Sequence, residues 1–183
     1  MMAAEKQGDE QRHVISVLVE NQFGVLARIA SLFTGKGFNI DSLTVAETLD
    51  PGLSRMTVVT RGNEAVIEQT CKQLNKLIDV VRVNDLTGQP HVEREMVLIK
   101  VSAEGSTRGE IIQIVDVFRS RIVDVAQRTL TIEMTGDEGK INALVNMLRP
   151  YGVVDVVRTG KVAIGRGTHA VLSESAGESV AAG

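Results

Sequence analysis

Three strings recur in the same order in the two halves of the chain. Gly24 to Phe33 has the spacing of Gly109 to Phe118. Thr57-Val-Val-Thr-Arg-Gly-Asn-Glu64 matches Thr131-Ile-Glu-Met-Thr-Gly-Asp-Glu138, and Asp79-Val-Val-Arg82 returns as Asp155-Val-Val-Arg158. One match could be chance; three in order mark a repeat, against the alternative of two unrelated α+β halves. A repeat constrains the fold strongly, because one supersecondary unit must then account for each half.

The unit can be read from periodicity. His13 to Val19 alternates and is β-branched, which predicts a strand. Val25, Leu26, Ile29, Ala30 and Phe33 fall at helical spacing, and Gly35 and Gly37 end that helix. Asn39 to Ala46 and Ser54 to Thr60 read as strands around the turn signal Asp50-Pro51-Gly52. Val66, Ile67, Thr70 and Leu74 predict one face of a second helix, and Ile78 to Val83 a last strand. The second half repeats the order. Met96 to Val101 is a strand, and Ile111, Ile112, Val115 and Phe118 form a helix face. Ile122 to Ala126 and Leu130 to Met134 form a hairpin. Ile141, Leu144, Val145 and Leu148 form another helix face ended by Pro150, and Val153 to Val157 is the final strand. Each half is β-α-β-β-α-β, the ferredoxin-like unit, so the fold class is α+β with two tandem ferredoxin-like domains. We assign 1–11 to a flexible N-terminus, 12–87 and 88–164 to the two domains, and 165–183 to a flexible tail. The joint falls at Gly88-Gln89-Pro90.

Composition removes several function classes. The 183 residues carry a formal net charge of −3, so no basic field draws nucleic acid or anionic lipid. Aromatic residues make up 3%, too few for base stacking. A lone cysteine, Cys71, leaves no internal disulfide or cysteine metal cage and reads as a small buried filler. There is no apolar run of membrane-spanning length, and the N-terminus lacks the apolar core of a signal peptide, so a cytoplasmic protein is expected. His13, His91 and His169 read as surface residues without metal-ligand spacing. Glu93-Arg94-Glu95 reads as a solvated edge. No nucleophile elbow, phosphate loop or dinucleotide fingerprint is present, so catalytic and metal-binding residues are expected to be absent. The fold's other common uses also lack their marks. There are no paired cysteines for copper, and Ile15, Val17, Met56 and Val58 stand where RNA-binding aromatics would be needed. No arginine lies in Glu20-Asn-Gln-Phe-Gly24, as an acylphosphatase would require.

That last segment carries the one positive signal. Gly24 stands at the predicted start of a helix, where a side chain would obstruct close approach. The amides of Gly24, Val25 and Leu26 could then face an anion such as a carboxylate. Asn21 offers both donor and acceptor, which suits a zwitterion. On pattern alone the segment reads equally well as a tight turn and helix cap.

Asn21-x-x-Gly24-x-Leu26 resembles the loop of ACT domains, amino-acid-sensing βαββαβ modules. Gly24-Val-Leu-Ala-Arg-Ile, Gly37-Phe-Asn-Ile-Asp-Ser-Leu-Thr-Val-Ala46 and Leu53-Ser-Arg-Met-Thr57 are similar to the acetolactate synthase small-subunit family. Lys72-Gln-Leu-Asn-Lys-Leu77 and His91-Val-Glu-Arg-Glu95 extend the likeness over all but the two tails. The resemblance implies a non-catalytic regulatory subunit. Its large partner condenses pyruvate with a second 2-oxo acid using thiamine diphosphate, magnesium and FAD. It implies activation of that partner, feedback inhibition by valine or another branched-chain amino acid, and a homodimer with effector sites at the seam. The matching loop residues are Asn21, Gly24, Val25 and Leu26. Asn39 and Ile40 match residues that reach in from the other protomer. In the second repeat Ser106 is expected at the position of Asn21, Ile122 near that of Asn39, and Gly109 at that of Gly24. Without the polar clamp, that domain is expected to bind no amino acid at an equivalent pocket. Two rival functions are a free-standing ACT regulator of transcription, for which no nucleic-acid-binding element is visible, and a small enzyme.

Overall fold

The structure, a computed structural model, describes residues 11–35, 37 and 39–167. Most of the expected flexible N-terminus and tail, His169 included, lies outside the described residues. Gln11 opens the first strand and Gly165 closes the last.

The first half runs β1 (Gln11–Glu20), α1 (Val25–Gly35), β2 (Ile40–Glu47), β3 (Leu53–Gly62), α2 (Glu64–Leu74) and β4 (Val80–Asp85). Its four antiparallel strands lie in the order β2-β3-β1-β4, so β2 and β4 are edges. Odd positions of β1 face the helices: Ile15, Val17 and Val19 form one buried core with Val25, Ile29, Phe33, Met56, Val58, Ile67 and Leu74. Each large aliphatic buried there contributes about 1.5–3 kcal/mol of transfer free energy. His13 belongs to the same odd series and is only 2% exposed, with Nδ1 3.7 Å from Asp85 Oδ2. The expectation of a surface histidine is therefore wrong here, and strand alternation is the reason.

The second half runs β5 (His91–Ser102), α3 (Arg108–Val117), β6 (Arg121–Val125), β7 (Thr129–Gly136), α4 (Glu138–Leu148), a short 3₁₀ turn (Arg149–Tyr151) and β8 (Val153–Gly165). The sheet order β6-β7-β5-β8 repeats that of the first, and its core includes Val97, Ile99, Val101, Ile111, Leu130, Ile132, Ile141 and Leu144. The repeated string explains one shared detail. Asn63 caps α2 by accepting from Ala65 N at 2.9 Å, and Asp137, its counterpart, caps α4 by accepting from Lys140 N at 2.8 Å.

Glu93 and Glu95 do not form a solvated edge. Their side chains are 15% and 5% exposed and face Lys161 and Arg158 of β8, each at 3.8 Å. Lys161 also bonds Glu138 at the start of α4. Burying two carboxylates requires such cations, and both lie on the part of β8 beyond Val157.

Two compact units result. One comprises Met1–Val92 with Ala163–Gly183, the other Glu93–Val162. Strands β5 and β8 thus each begin or end in the first unit. Within that unit Ala163 packs with Val14, Val59 and Leu86 on the sheet face opposite the helices. Among the described residues no helix is long and apolar enough to cross a membrane.

Candidate functional site

Three loops meet at the end of β1 in the first unit. Asn21 N donates to Gly52 O at 2.8 Å, and Glu20 N donates to Asp79 O at 2.8 Å. The β1–α1 loop is thereby tied to the β2–β3 hairpin and to the α2–β4 loop. The Asn21 side chain strengthens the first tie. Its Nδ2 donates to Glu47 Oε1 at 3.0 Å and to Pro51 O at 3.1 Å. Its donors are thus spent within the chain, which leaves the Oδ1 acceptor for anything outside it.

Gly24 stands just before α1 with φ +83°, a left-handed conformation that explains glycine here. The first helical bond runs from Arg28 N to Gly24 O at 3.0 Å. The amides of Val25, Leu26 and Ala27 therefore have no acceptor within the helix. Val25 turns its side chain into the core, while Leu26 is 46% exposed. Arg28 is a residue the sequence reading missed. Its Nη1 holds Asp79 Oδ2 at 2.5 Å, and its Nη2 lies 3.9 Å from where a Cβ on Gly24 would stand. A guanidinium thus flanks the helix entrance, its charge balanced by the Asp79 carboxylate. The partners lie 51 positions apart, so no local motif could have announced the pair.

Asn39 and Ile40 lie elsewhere. Ile40 pairs with Thr60, which pairs with His13, at the beginning of β1, and Asn39 O accepts from Thr60 Oγ1 at 2.7 Å. From His13 to Glu20 the sheet extends about 23 Å at roughly 3.3 Å per residue. Within one chain the structure brings Asn21, Gly24, Val25 and Leu26 together and leaves Asn39 and Ile40 at the opposite end of edge strand β2. An Asp41–Arg61 pair at 3.1 Å fastens that end of β2.

In the second unit Lys100 faces Thr131 as Ser16 faces Thr57, so the paired strands of the two repeats share a register. Gly109, expected as Gly24's counterpart, lies inside α3 and lacks a positive φ. Ile122 faces Ile132, the counterpart of Val58, and so matches Leu43 rather than a position near Asn39. Arg108 Nη2 donates toward the carbonyls of Ala103, Ala126 and Gln127 at 3.0, 2.7 and 2.8 Å. A guanidinium thus does in this unit what Asn21 does in the first, joining the helix entrance to the neighbouring hairpin.

No catalytic constellation accompanies these features. Among the described residues, no group of three or more His, Cys, Asp or Glu side chains is placed to hold a metal ion. Cys71 packs half-buried against the first core, and burial pushes its thiol up to about 11. That favours the neutral thiol over the nucleophilic thiolate.

Comparison with known proteins decides the family. A family model described as an AHAS small subunit-like ACT domain matches residues 15–82, and one described as the small subunit of acetolactate synthase matches residues 94–167. The acetolactate synthase small subunit of Aquifex aeolicus is 52% identical over 162 residues, covering 88% of this chain and 84% of that one. The chain belongs to the acetolactate synthase small-subunit family. The small subunit of Mycolicibacterium smegmatis is 46% identical over 159 residues, covering 87% of this chain and 94% of its own. The crystal structure of the small subunit from Thermotoga maritima aligns with a TM-score of 0.79 at 42% identity, covering 86% of this chain and 98% of that one. The tandem ferredoxin-like architecture and the ACT character of the first domain are thus those of the family. Membership makes this chain the small, non-catalytic subunit of acetolactate synthase, whose catalytic partner is a separate large subunit.

Proposed function

We propose that this small subunit activates its catalytic partner and confers feedback inhibition by valine or a related branched-chain amino acid, bound at the seam of a homodimer. One observation carries the reading. The loop with Asn21 and Gly24 lies at one end of the first sheet, Asn39 and Ile40 lie at the other, and β2 is an edge strand. Pairing two β2 edges antiparallel lays the beginning of one beside the end of the other. Each seam then gathers the amides of Val25 and Leu26 from one protomer with Asn39 and Ile40 from its partner. The amides suit a carboxylate. Asn21 Oδ1 suits an ammonium, and Leu26 offers an apolar surface to a branched side chain. Because two protomers share the ligand, binding biases the geometry of the dimer and hence its contact with the large subunit, with a coupling of about 1–3 kcal/mol. Thiamine diphosphate, magnesium and FAD belong to the large subunit in this reading, and both subunits work in the cytoplasm. A pocket for valine discriminates weakly against leucine or isoleucine, since one methylene is worth about 1–3 kcal/mol.

The experiment reconstitutes the large subunit with wild-type chain, Asn21→Ala, Asn39→Ala and a refolded mixture of the two variants. The chain alone is expected to show no turnover and to raise that of the large subunit. Each variant should need at least tenfold more valine for half-inhibition. Mixed dimers retain one intact seam and should regain part of the sensitivity. Unchanged inhibition in both single variants would remove these residues from the site, and a mixture no better than its components would remove the shared seam.

A further inference from the structure

The first sheet has a second face, turned away from α1 and α2, and it holds a cavity of about 520 Å³ lined wholly by residues of the first unit. Ser16 of β1 and Asn84 of β4 are directly opposite each other across the strand pair, so their side chains share this face. Arg55 of β3 belongs to it as well, because its neighbours Ser54 and Met56 turn the other way. The segment Leu86–Pro90 and the end of β8, Ile164–Gly165, complete the wall.

Four side chains on this lining offer hydrogen-bonding groups. Ser16 is only 4% exposed, and it lines the cavity. A hydroxyl bordering this space can both donate to and accept from a ligand group. The amides of Asn84 and Gln89 and the guanidinium of Arg55 make no side-chain hydrogen bond or ion pair among the described residues. Asp85 is the one acid of the lining; it pairs with Ile15, so its side chain turns toward the helix-covered face, where Oδ1 accepts from Thr87 N at 2.8 Å and Oδ2 lies 3.7 Å from His13 Nδ1. Leu86, Pro90 and Ile164 supply apolar wall between these groups.

We propose that this cavity is a second ligand site, separate from the dimer-seam site, for a small aliphatic monocarboxylic acid bearing one further polar group. The chemistry selects that class. One planar guanidinium matches one carboxylate bidentately. The lining offers no helix N-terminus and no second cation for a phosphate dianion. The apolar wall takes the aliphatic body, and Ser16, Asn84 and Gln89 read the second polar group. The volume lies within the range of small-molecule sites.

The test titrates the isotopically labelled full chain with 2-hydroxyisobutyrate, isobutyramide and inorganic phosphate, following amide signals by NMR. Saturable shifts with 2-hydroxyisobutyrate are expected around Ser16, Arg55, Asn84 and Gln89. The uncharged amide should bind at least tenfold more weakly. Arg55→Gln should weaken the acid at least tenfold while leaving the spectrum of the rest of the chain intact, because Arg55 is exposed and bears no core contact. Ser16→Ala should weaken 2-hydroxyisobutyrate more than plain isobutyrate. Absence of saturation, equal binding of acid and amide, or undiminished binding by Arg55→Gln would overturn the site. Tighter binding of phosphate would overturn its ligand class.

Discussion

Gly24 is held in the left-handed region, and this changes what its substitution does. The sequence alone permits an aspartate there at little cost, on the condition that φ is negative. With φ at +83° the condition fails. A side chain in that conformation costs roughly 1–2 kcal/mol, less for Asn and Asp than for other residues. Gly24→Asn and Gly24→Asp should therefore lower the melting temperature by a similar few degrees, since a change of 1 kcal/mol moves it about 2–4 °C in a chain of this size. They should part on ligand binding. The aspartate sets a fixed negative charge against a ligand carboxylate, whereas asparagine brings only bulk. Thermal unfolding followed by valine titration of the reconstituted enzyme separates the two effects. Equal valine sensitivity in Gly24→Asp and wild type would place the effector away from the α1 entrance.

Among the elements, α2 shows how far periodicity reaches. Ile67, Thr70 and Leu74 are buried, as their spacing predicts, but Val66 is 37% exposed. The four positions span an arc of roughly 100° on the helix, and Val66 lies at one edge of it. Ile67→Ala should cost about 2–5 kcal/mol and Val66→Ala well under 1 kcal/mol, measured by denaturant unfolding. Equal losses would mean that another surface covers Val66. Each helix and strand was legible because apolar spacing records which side meets the core. Boundaries were less so. Ile78, read as the start of a strand, is 89% exposed in the loop before β4. Strand β8 continues eight residues past Val157, through Arg158-Thr-Gly-Lys161, because those polar groups find partners that lie far off in sequence. The candidate site divided in the same way. Its glycine and asparagine could be read from local order, whereas the Arg28–Asp79 pair and the Arg108 tie depend on tertiary distance. Equal spacing also misled the alignment of the repeats: Gly24 precedes its helix, while Gly109 lies inside one.

For the molecule as a whole, the first unit is completed by residues from the far end of the chain. A fragment ending at Thr87 retains every residue proposed for the effector seam and the core around Phe33 and Ile67. It loses Ala163, which covers Val14, Val59 and Leu86. The fragment should fold, dimerise and bind valine, with stability lower by about 1 kcal/mol for the missing methyl contact. Calorimetric titration and thermal unfolding of the fragment beside the full chain test this. Loss of valine binding in a folded fragment would bring residues beyond Thr87 into the seam.

The return of β8 to the first unit also sets a schedule during synthesis. The ribosome releases residues up to Val92 first, yet the strand end that seals Val14, Val59 and Leu86 emerges only after all of Glu93–Val162 has been made. At about 5–20 residues per second, that interval lasts several seconds. Throughout it, the nascent first domain already holds its main core but shows an apolar strip to the crowded surroundings, and that strip is hidden only once Ala163 has been made.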